Sequence, residues 1–447
     1  MKTRHYLTML IGYLKAKAMN NNFILRFSLL GFRCFRAIKM RLGWRDSILL
    51  PFYFPKIKIL HIGQVHSPHF ATLNKYIKSR FFDIGIRQYG YLVCCYPTIC
   101  QNNEEYDKIY DYANYGYFHT VSYQHWEDDL LFKANNSLNH VAHKVSSLVN
   151  KWKPDLVWIH DIQAGGYIYL DAENDFKYHP PVIATTYGND LYFFRYHNTH
   201  NIRISKLLKE VSLLHVETLR DRMLAQEMGY SNSYAPICSA TFKTYNATNH
   251  VLVNSNNRDI FILIKGSYRL RSDLPAFFRF IEANPNIWQG RSLVVFNSTS
   301  DDEFMCEGIR NRFNLNITCT KRLRSSDLMN LMSRSHYHLS VTLSDGVANT
   351  CVEAIMHGCI PLITEHNGFI ELIPDRFKNM LCIKLPFTDA FLDQLTSIDN
   401  DDSLKNEILK EIQEKIYHYF STATLDNFFK QILTLHDPVS KSHSLQS

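Results

Sequence analysis

Two carboxylates eight residues apart, Asp345 and Glu353, stand inside the stretch LSDGVANTCVEAIMHGCIPLITEHNGFIEL, residues 343–372. An apolar run at 337–343 predicts a strand, 350–357 has the pattern of a short helix, and 359–364 reads as a second strand. Asp345 therefore falls in a Gly-containing loop and Glu353 about one turn into the helix. The first N–H groups of a helix lack intrahelical acceptors and carry partial positive charge, so the loop and helix start form a cradle for an anion. Gly346, Val347, Ala348, Asn349 and Thr350 supply its backbone. A carboxylate one turn further in can accept hydrogen bonds from a vicinal diol such as a ribose. Diphosphate and sugar hydroxyls in one pocket point to a nucleotide-sugar.

This wording resembles the acid-x7-acid motif of retaining glycosyltransferases of family 4, usually Glu-x7-Glu followed by Ala, Gly and Pro. Here the motif is Asp345-x7-Glu353 with Ala354, Gly358 and Pro361, and DGVANTCVEA is similar to a branch that writes DG-x-x-N/S-T before the second acid. Asp345 departs from the usual first Glu and shortens the reach by one methylene. The resemblance is specific over roughly 340–372, looser over 151–265 and weak elsewhere.

Four further segments carry polar groups at the ends of apolar runs. KILHIGQVHSPHF (58–70) ends a strand pattern at Gly63 and places His66 and His69 in the next loop. KPDLVWIHDIQAGG (153–166) ends another at His160 and Asp161. Loops at the carboxyl ends of strands face the ligand crevice in doubly wound sheets, and the resemblance makes Gly63, His66, His69, His160 and Asp161 an acceptor-side set. ATTYGNDL (184–191) is similar to the T-H-G-x-D of the family, with Tyr187 where His is common and Asp190 kept. Tyr does not titrate near neutral pH as His does. Asp190 could equally cap the following helix. Lys265 and Gly266 close an apolar strand, with Arg269 and Arg271 just beyond. Cations beside the cradle would offset diphosphate charge as it departs. The resemblance favours Lys265 and Arg271. Together it implies a catalytic set of Lys265, Arg271, Asp345, Asp190 and Tyr187. Its donor set adds Gly266, residues 346–350 and Glu353.

The elements that must position these groups alternate between strand and helix patterns after residue 55. Strands are expected at 57–62, 92–96, 156–160, 182–186 and 213–217. A second series follows at 260–265, 292–296, 317–319, the run before Asp345, 359–364 and 380–383. Helices are expected at 137–151, 203–208, 219–228, 272–283, 301–313, 325–332, 350–357 and 422–435. Such alternation argues for parallel sheets. The expected fold is α/β, with two Rossmann-like doubly wound domains facing a cleft; the resemblance makes this the glycosyltransferase-B architecture. The expected division is a basic helical segment over 1–55, an acceptor domain over 56–245 and a nucleotide-sugar domain over 255–420. A last helix is expected over 421–436, which the resemblance implies packs back across the domain junction, with a flexible tail over 437–447.

A chain of 447 residues with 46% hydrophobic and 20% charged residues is globular rather than disordered. Its net charge of +7 is local: residues 1–50 hold ten Lys and Arg against Asp46, or +9, leaving −2 for the rest. A general nucleic-acid surface is therefore not expected. The basic segment, rich in Phe and Leu, lacks an uninterrupted span of ~20 apolar residues and a signal-peptide cleavage pattern. It suits either a helix at an anionic membrane surface or a hairpin packed on the body. The ten cysteines form no C-x2-C pair and read as reduced thiols of a cytoplasmic protein. The His66/His69, His140/His143 and His197/His200 pairs have no complementary set for zinc, and Asp301-Asp302 lacks the context of a metal-binding DXD motif.

The resemblance, together with these features, implies a metal-independent hexosyltransferase that needs no cofactor. It would move sugar, with retention, from a nucleotide-sugar (UDP-sugar favoured) to a glycan, glycolipid or polysaccharide acceptor, including a lipid-linked one. The expected location is cytoplasmic, peripheral to the inner face of the plasma membrane if residues 1–50 bind it. An epimerase of the same fold or a non-catalytic nucleotide-sugar-binding partner subunit would share most of them.

Overall fold

The computed structural model describes residues 57–63, 69, 72–73, 76–77, 86–94, 116–122, 137–245, 258–266 and 272–435. His66, Arg269, Arg271 and the basic segment lie outside them.

Two all-parallel sheets organise the described residues. The first has seven strands: β1 (Ile57–Gly63), β2 (Ile86–Cys94), β3 (Gly116–Ser122), β4 (Leu156–His160), β5 (Val182–Thr185), β6 (Leu213–His215) and β7 (Ser233–Tyr234), in the order β3-β2-β1-β4-β5-β6-β7. The second has six: β8 (Ile260–Lys265), β9 (Leu293–Phe296), β10 (Ile317–Thr320), β11 (Ser335–Ser340), β12 (Ile360–Thr364) and β13 (Cys382–Ile383), in the order β10-β9-β8-β11-β12-β13. Near-continuous apolar strands such as β4 and β9 are buried along their whole length, as strands covered on both faces must be.

Helices of the first half are α1 (Ser137–Trp152), α2 (Tyr167–Glu173), α3 (Asn189–Tyr192), α4 (Asn198–Glu210) and α5 (Leu219–Glu227). Those of the second are α6 (Leu274–Ala283), α7 (Ser300–Phe313), α8 (Ser325–Ser333), α9 (Asn349–Met356), α10 (Asp375–Leu381), α11 (Asp389–Asp399), α12 (Asp402–Tyr419) and α13 (Thr422–Thr434). The α7 start carries a full capping box, in which Thr299 and Asp302 satisfy each other's backbone N–H.

The last helix belongs to the first sheet by packing. Phe428 and Phe429 of α13 sit against Trp158 of β4 in a core with Ile57, Ile59, Leu156 and Ile183. Burying each Phe contributes about 1.5–3 kcal/mol. Tyr76, a helical residue after β1, also holds α13, donating to Asp426 at 2.5 Å.

Among the elements that differ from expectation are three strands. The second strand starts at Ile86, because its first half, IRQYG, pairs with β1 through backbone bonds and carries no apolar run to announce it. An edge strand, β3, pairs with β2 where no strand was expected. The strand before Asp345 stops at Ser340, after which Thr342 bridges to Ser272 and Asp345 to Asn367.

In both sheets the strand order reverses beside the first strand of the series, between β1 and β4 and between β8 and β11. Ligands of doubly wound folds bind at the carboxyl ends of strands flanking such a reversal. Gly63 and His160 end one flanking pair; Lys265 and the loop holding Asp345 follow the other.

Candidate active site

The second half brings its expected residues together. Lys265, at the end of β8, places Nζ 3.3 Å from Asp345 Oδ2. Asp345 Oδ1 accepts the Gly346 N–H at 3.0 Å, and its carbonyl accepts from Gly368 N at 3.1 Å. Both side chains are about a quarter exposed, and a pair so placed contributes only ~0–1 kcal/mol to folding. Its arrangement therefore bears on chemistry more than on stability. Behind it, α9 starts at Asn349, and the buried Asn349 Oδ1 and Thr350 Oγ1 have no hydrogen-bond partner among the described residues. Unsatisfied buried polar atoms at a helix start are costly unless a ligand or water meets them. Glu353, one turn on, is held by Lys243 Nζ at 2.7 Å. Val347 and Ala348 are buried. Gly266 sits where a Cβ would lie 2.6 Å from the Asn297 carbonyl.

The first half contributes differently. His69 stacks on Tyr187 with ring centroids 5.2 Å apart. Burial, reinforced by the Lys243 charge and opposed by that of Asp345, lowers the His69 pKa to about 4. His69 thus lies within electrostatic reach of both Lys243 and Asp345. Asp190 is a brace: its Oδ2 accepts from Tyr187 N and Ile162 N, each at 3.1 Å, and so ties two crevice loops together. Asp161 opens a π-helical turn (Asp161–Gly166) with φ of 71°, a conformation non-glycine residues adopt at a cost. Gly165 closes that turn against β1, where a Cβ would lie 2.5 Å from the Ile62 carbonyl oxygen.

His160 is placed otherwise than an acceptor contact requires. It is 3% exposed, its Nε2 lies 2.9 Å from His61 Nδ1, and its ring stacks on Trp158. Burial holds its pKa well below the ordinary value. Its backbone packs under Gly63, where a Cβ would come within 2.7 Å of the His160 Cβ.

Sequence reasoning passed over the residues that join the halves. Gly188 and Gly346 meet backbone to backbone. Glu217, two residues beyond β6, accepts the Ala240 N–H at 3.0 Å and that of Val347, and lies against Gly346. Burial pushes its carboxyl up to about 8, aided by the charges of Asp345 and Asp221 and opposed by the two backbone N–H groups. Arg220 reaches across to the carbonyl oxygens of Asp345 and His366, each at 2.9 Å. Glu371 returns the contact by capping α5, accepting from Leu219 N at 2.7 Å and Arg220 N at 2.9 Å, where the helix dipole favours an anion. Tyr192 Oη lies 2.9 Å from His366 Nδ1. The only signal for Glu217 was an acid ending an apolar run; Lys243 and Arg220 had none.

Among the described residues no group of three His, Cys, Asp or Glu side chains is arranged to hold a metal ion, and no helix is long and apolar enough to cross a membrane.

The sequence matches no known family model and no curated protein. Solved structures match in fold. Sucrose-phosphate synthase from Thermosynechococcus elongatus is 12% identical with a TM-score of 0.63 over 85% of this chain and 100% of its own. HepE of Anabaena in complex with UDP and glucose is 12% identical with a TM-score of 0.57 over 85% and 99%. A trehalose 6-phosphate synthase from Burkholderia multivorans is 13% identical with a TM-score of 0.60 over 87% and 100%. The fold is that of the glycosyltransferase-B class, two Rossmann-like parallel-sheet domains, as expected.

Proposed function

We propose that the protein is a glycosyltransferase that takes sugar from a nucleotide-sugar, with retention at the transferred carbon. The observation that carries this reading is the convergence of Lys265, Asp345 and the unpartnered polar atoms of Asn349 and Thr350 at the strand-order reversal of the second sheet. An anion at the α9 start would satisfy those atoms, and Lys265 would face its charge. Glu353 would accept the ribose hydroxyls. The solved neighbours that hold UDP and UDP-glucose favour a uridine diphosphate donor and a hexose.

In the proposed reaction the bond between the sugar carbon and the diphosphate oxygen breaks, its electron pair leaving with the diphosphate. The acceptor oxygen bonds the same face of that carbon and passes its proton to the departing phosphate. Lys265, with Arg271 if its position matches the resemblance, and the α9 dipole stabilise the charge that develops, so no metal or cofactor is required. Asp345 would hold Lys265 in place, Asp190 would order the Tyr187 loop, and Tyr187 and His69 would face the acceptor together with Gly63 and Asp161. The +9 charge of residues 1–50 favours an acceptor met at an anionic membrane surface, such as a lipid-linked glycan.

Thermal shift with UDP-, GDP- and ADP-sugars tests the donor, since ligand at a hundredfold excess over Kd stabilises by about 2.7 kcal/mol. Product analysis with and without glycan acceptor follows, with the anomeric configuration read by NMR. Sugar interconversion without acceptor would instead make the protein an epimerase. Donor binding without turnover would make it a partner subunit, and inversion would overturn the retaining assignment.

A further inference from the structure

Lys243 has no place in the reaction as written, yet its ammonium sits on the carboxylate proposed to take the ribose. Its Nζ lies 2.7 Å from Glu353 Oε1, the lysine side chain 37% exposed and the glutamate 16%. The backbone on either side is pinned. Phe242, 1% exposed, fills the core under Trp158 and Phe428 and adopts a φ of 54°. Tyr245 donates its N–H to the Phe420 carbonyl at 3.3 Å and packs edge-on against that ring. These anchors hold the backbone on both sides of Lys243, while its partly exposed four-carbon stem keeps the freedom to swing. A partly exposed ion pair adds little to folding, and this one spans the join between the two sheets.

We infer that Lys243 is a placeholder for the ribose hydroxyls, holding Glu353 in the unliganded protein and yielding at least one carboxylate oxygen when donor binds. The inference rests on the proposed ribose role of Glu353. A vicinal diol is recognised by a carboxylate through both oxygens, and an ammonium on Oε1 leaves only one. The cost of releasing Lys243 is then deducted from donor affinity. Because the Lys243 charge also acts on His69, its departure changes the electrostatics of the first half when donor occupies the second.

The experiment is calorimetric titration of UDP into the full chain and its Lys243→Met, Lys243→Arg, Glu353→Gln and Lys243→Met/Glu353→Gln variants, with melting curves as fold controls. Lys243→Met should bind UDP about fivefold tighter. Lys243→Arg, whose planar fork can hold both carboxylate oxygens, should bind about threefold weaker, so the sign survives if either variant fails to fold. Lys243→Met should change nothing once Glu353 is Gln. Acylation of the wild type with an amine-reactive reagent should label Lys243 faster with UDP present than without. Unchanged or weaker binding by Lys243→Met overturns the inference, as does an effect that persists without the Glu353 charge, or UDP shielding Lys243 from acylation. Wild-type protein that binds no nucleotide overturns the proposed function itself and the inference with it; wild-type binding with a silent Lys243→Met overturns the inference alone.

Discussion

Gly188 and Gly346 touch across the two halves of the molecule with no side chain between them: a Cβ on Gly188 would lie 1.8 Å from Gly346 N. Gly346 follows Asp345 and Gly188 follows Tyr187, so the contact sets how closely residues from the two halves approach. Both chains must be bare of side chains for the approach to occur.

Gly188→Ala is expected to force the halves apart. Overpacking at a close contact costs about 1–3 kcal/mol, so the melting temperature should fall by several degrees and turnover by more than tenfold. The fold of each sheet should persist by circular dichroism. Wild-type melting together with wild-type turnover would show that the two backbones do not meet in solution.

Glu217 gives the join a pH dependence. Its folded pKa of about 8 exceeds the ordinary 4.5, so the folded state binds more protons and stability falls as pH rises from about 4.5 through 8. His69 and His215, both held near 4 by burial, act oppositely: the unfolded state binds the extra protons, and stability falls as pH drops from 6.5 toward 4. His338, lowered to about 3, adds to the acid limb. Melting should therefore peak near pH ~7, where the limbs balance. Glu217→Gln should flatten the alkaline limb and move the peak upward while leaving the acid limb. An unchanged alkaline slope in the variant would remove Glu217 from the account.

Much of the site was legible because it lies close in sequence and at the ends of apolar strands. Strand–loop–helix patterning singles out Asp345 and Glu353, and the resemblance adds the strand end at Lys265. The two sheets follow from the alternation of apolar runs with helix periodicity. What joins the halves was not legible, because the partners are distant: Lys243 and Glu353 are 110 residues apart, and Arg220 and Asp345 are 125 apart. A lone Lys in a polar stretch and an Arg at a helix start look solvated until the chain folds. His160 misled for the opposite reason. A His at a strand end reads as exposed to ligand, but Gly63 admits the neighbouring backbone so closely that the ring is enclosed. The start of β2 was hidden because IRQYG is polar and pairs through its backbone.

Lys265→Ala is expected to lower kcat by at least a hundredfold while acceptor KM changes little. In the proposed reaction the ammonium would meet charge that grows on the leaving diphosphate, and groups that bind the transition state more strongly than the ground state act on kcat. Losing its pairing should leave the melting temperature within a few degrees, because a partly exposed pair contributes ~0–1 kcal/mol. A normal kcat with raised acceptor KM would move Lys265 from donor to acceptor.

Arg220 tests whether contact between the halves matters to turnover apart from donor binding. Its guanidinium, from α5, holds the main-chain oxygens of Asp345 and His366 and lies over the Tyr192 ring, with its carbon 4.2 Å from the centroid. A lysine cannot reproduce that planar, two-directional grip. Lys265, Glu353 and the α9 start all belong to the second half and do not pass through Arg220. Arg220→Lys should therefore keep the UDP Kd within about threefold, since losing one charged hydrogen bond of ~1.5–3 kcal/mol falls on the join rather than on the ligand. Turnover should drop by tenfold or more, because the acceptor-side loop is no longer held against the donor. Calorimetry beside steady-state kinetics separates the two. If UDP affinity falls as far as kcat, Arg220 supports the Asp345 loop for donor binding. If neither moves, the contact between the halves is incidental to the reaction.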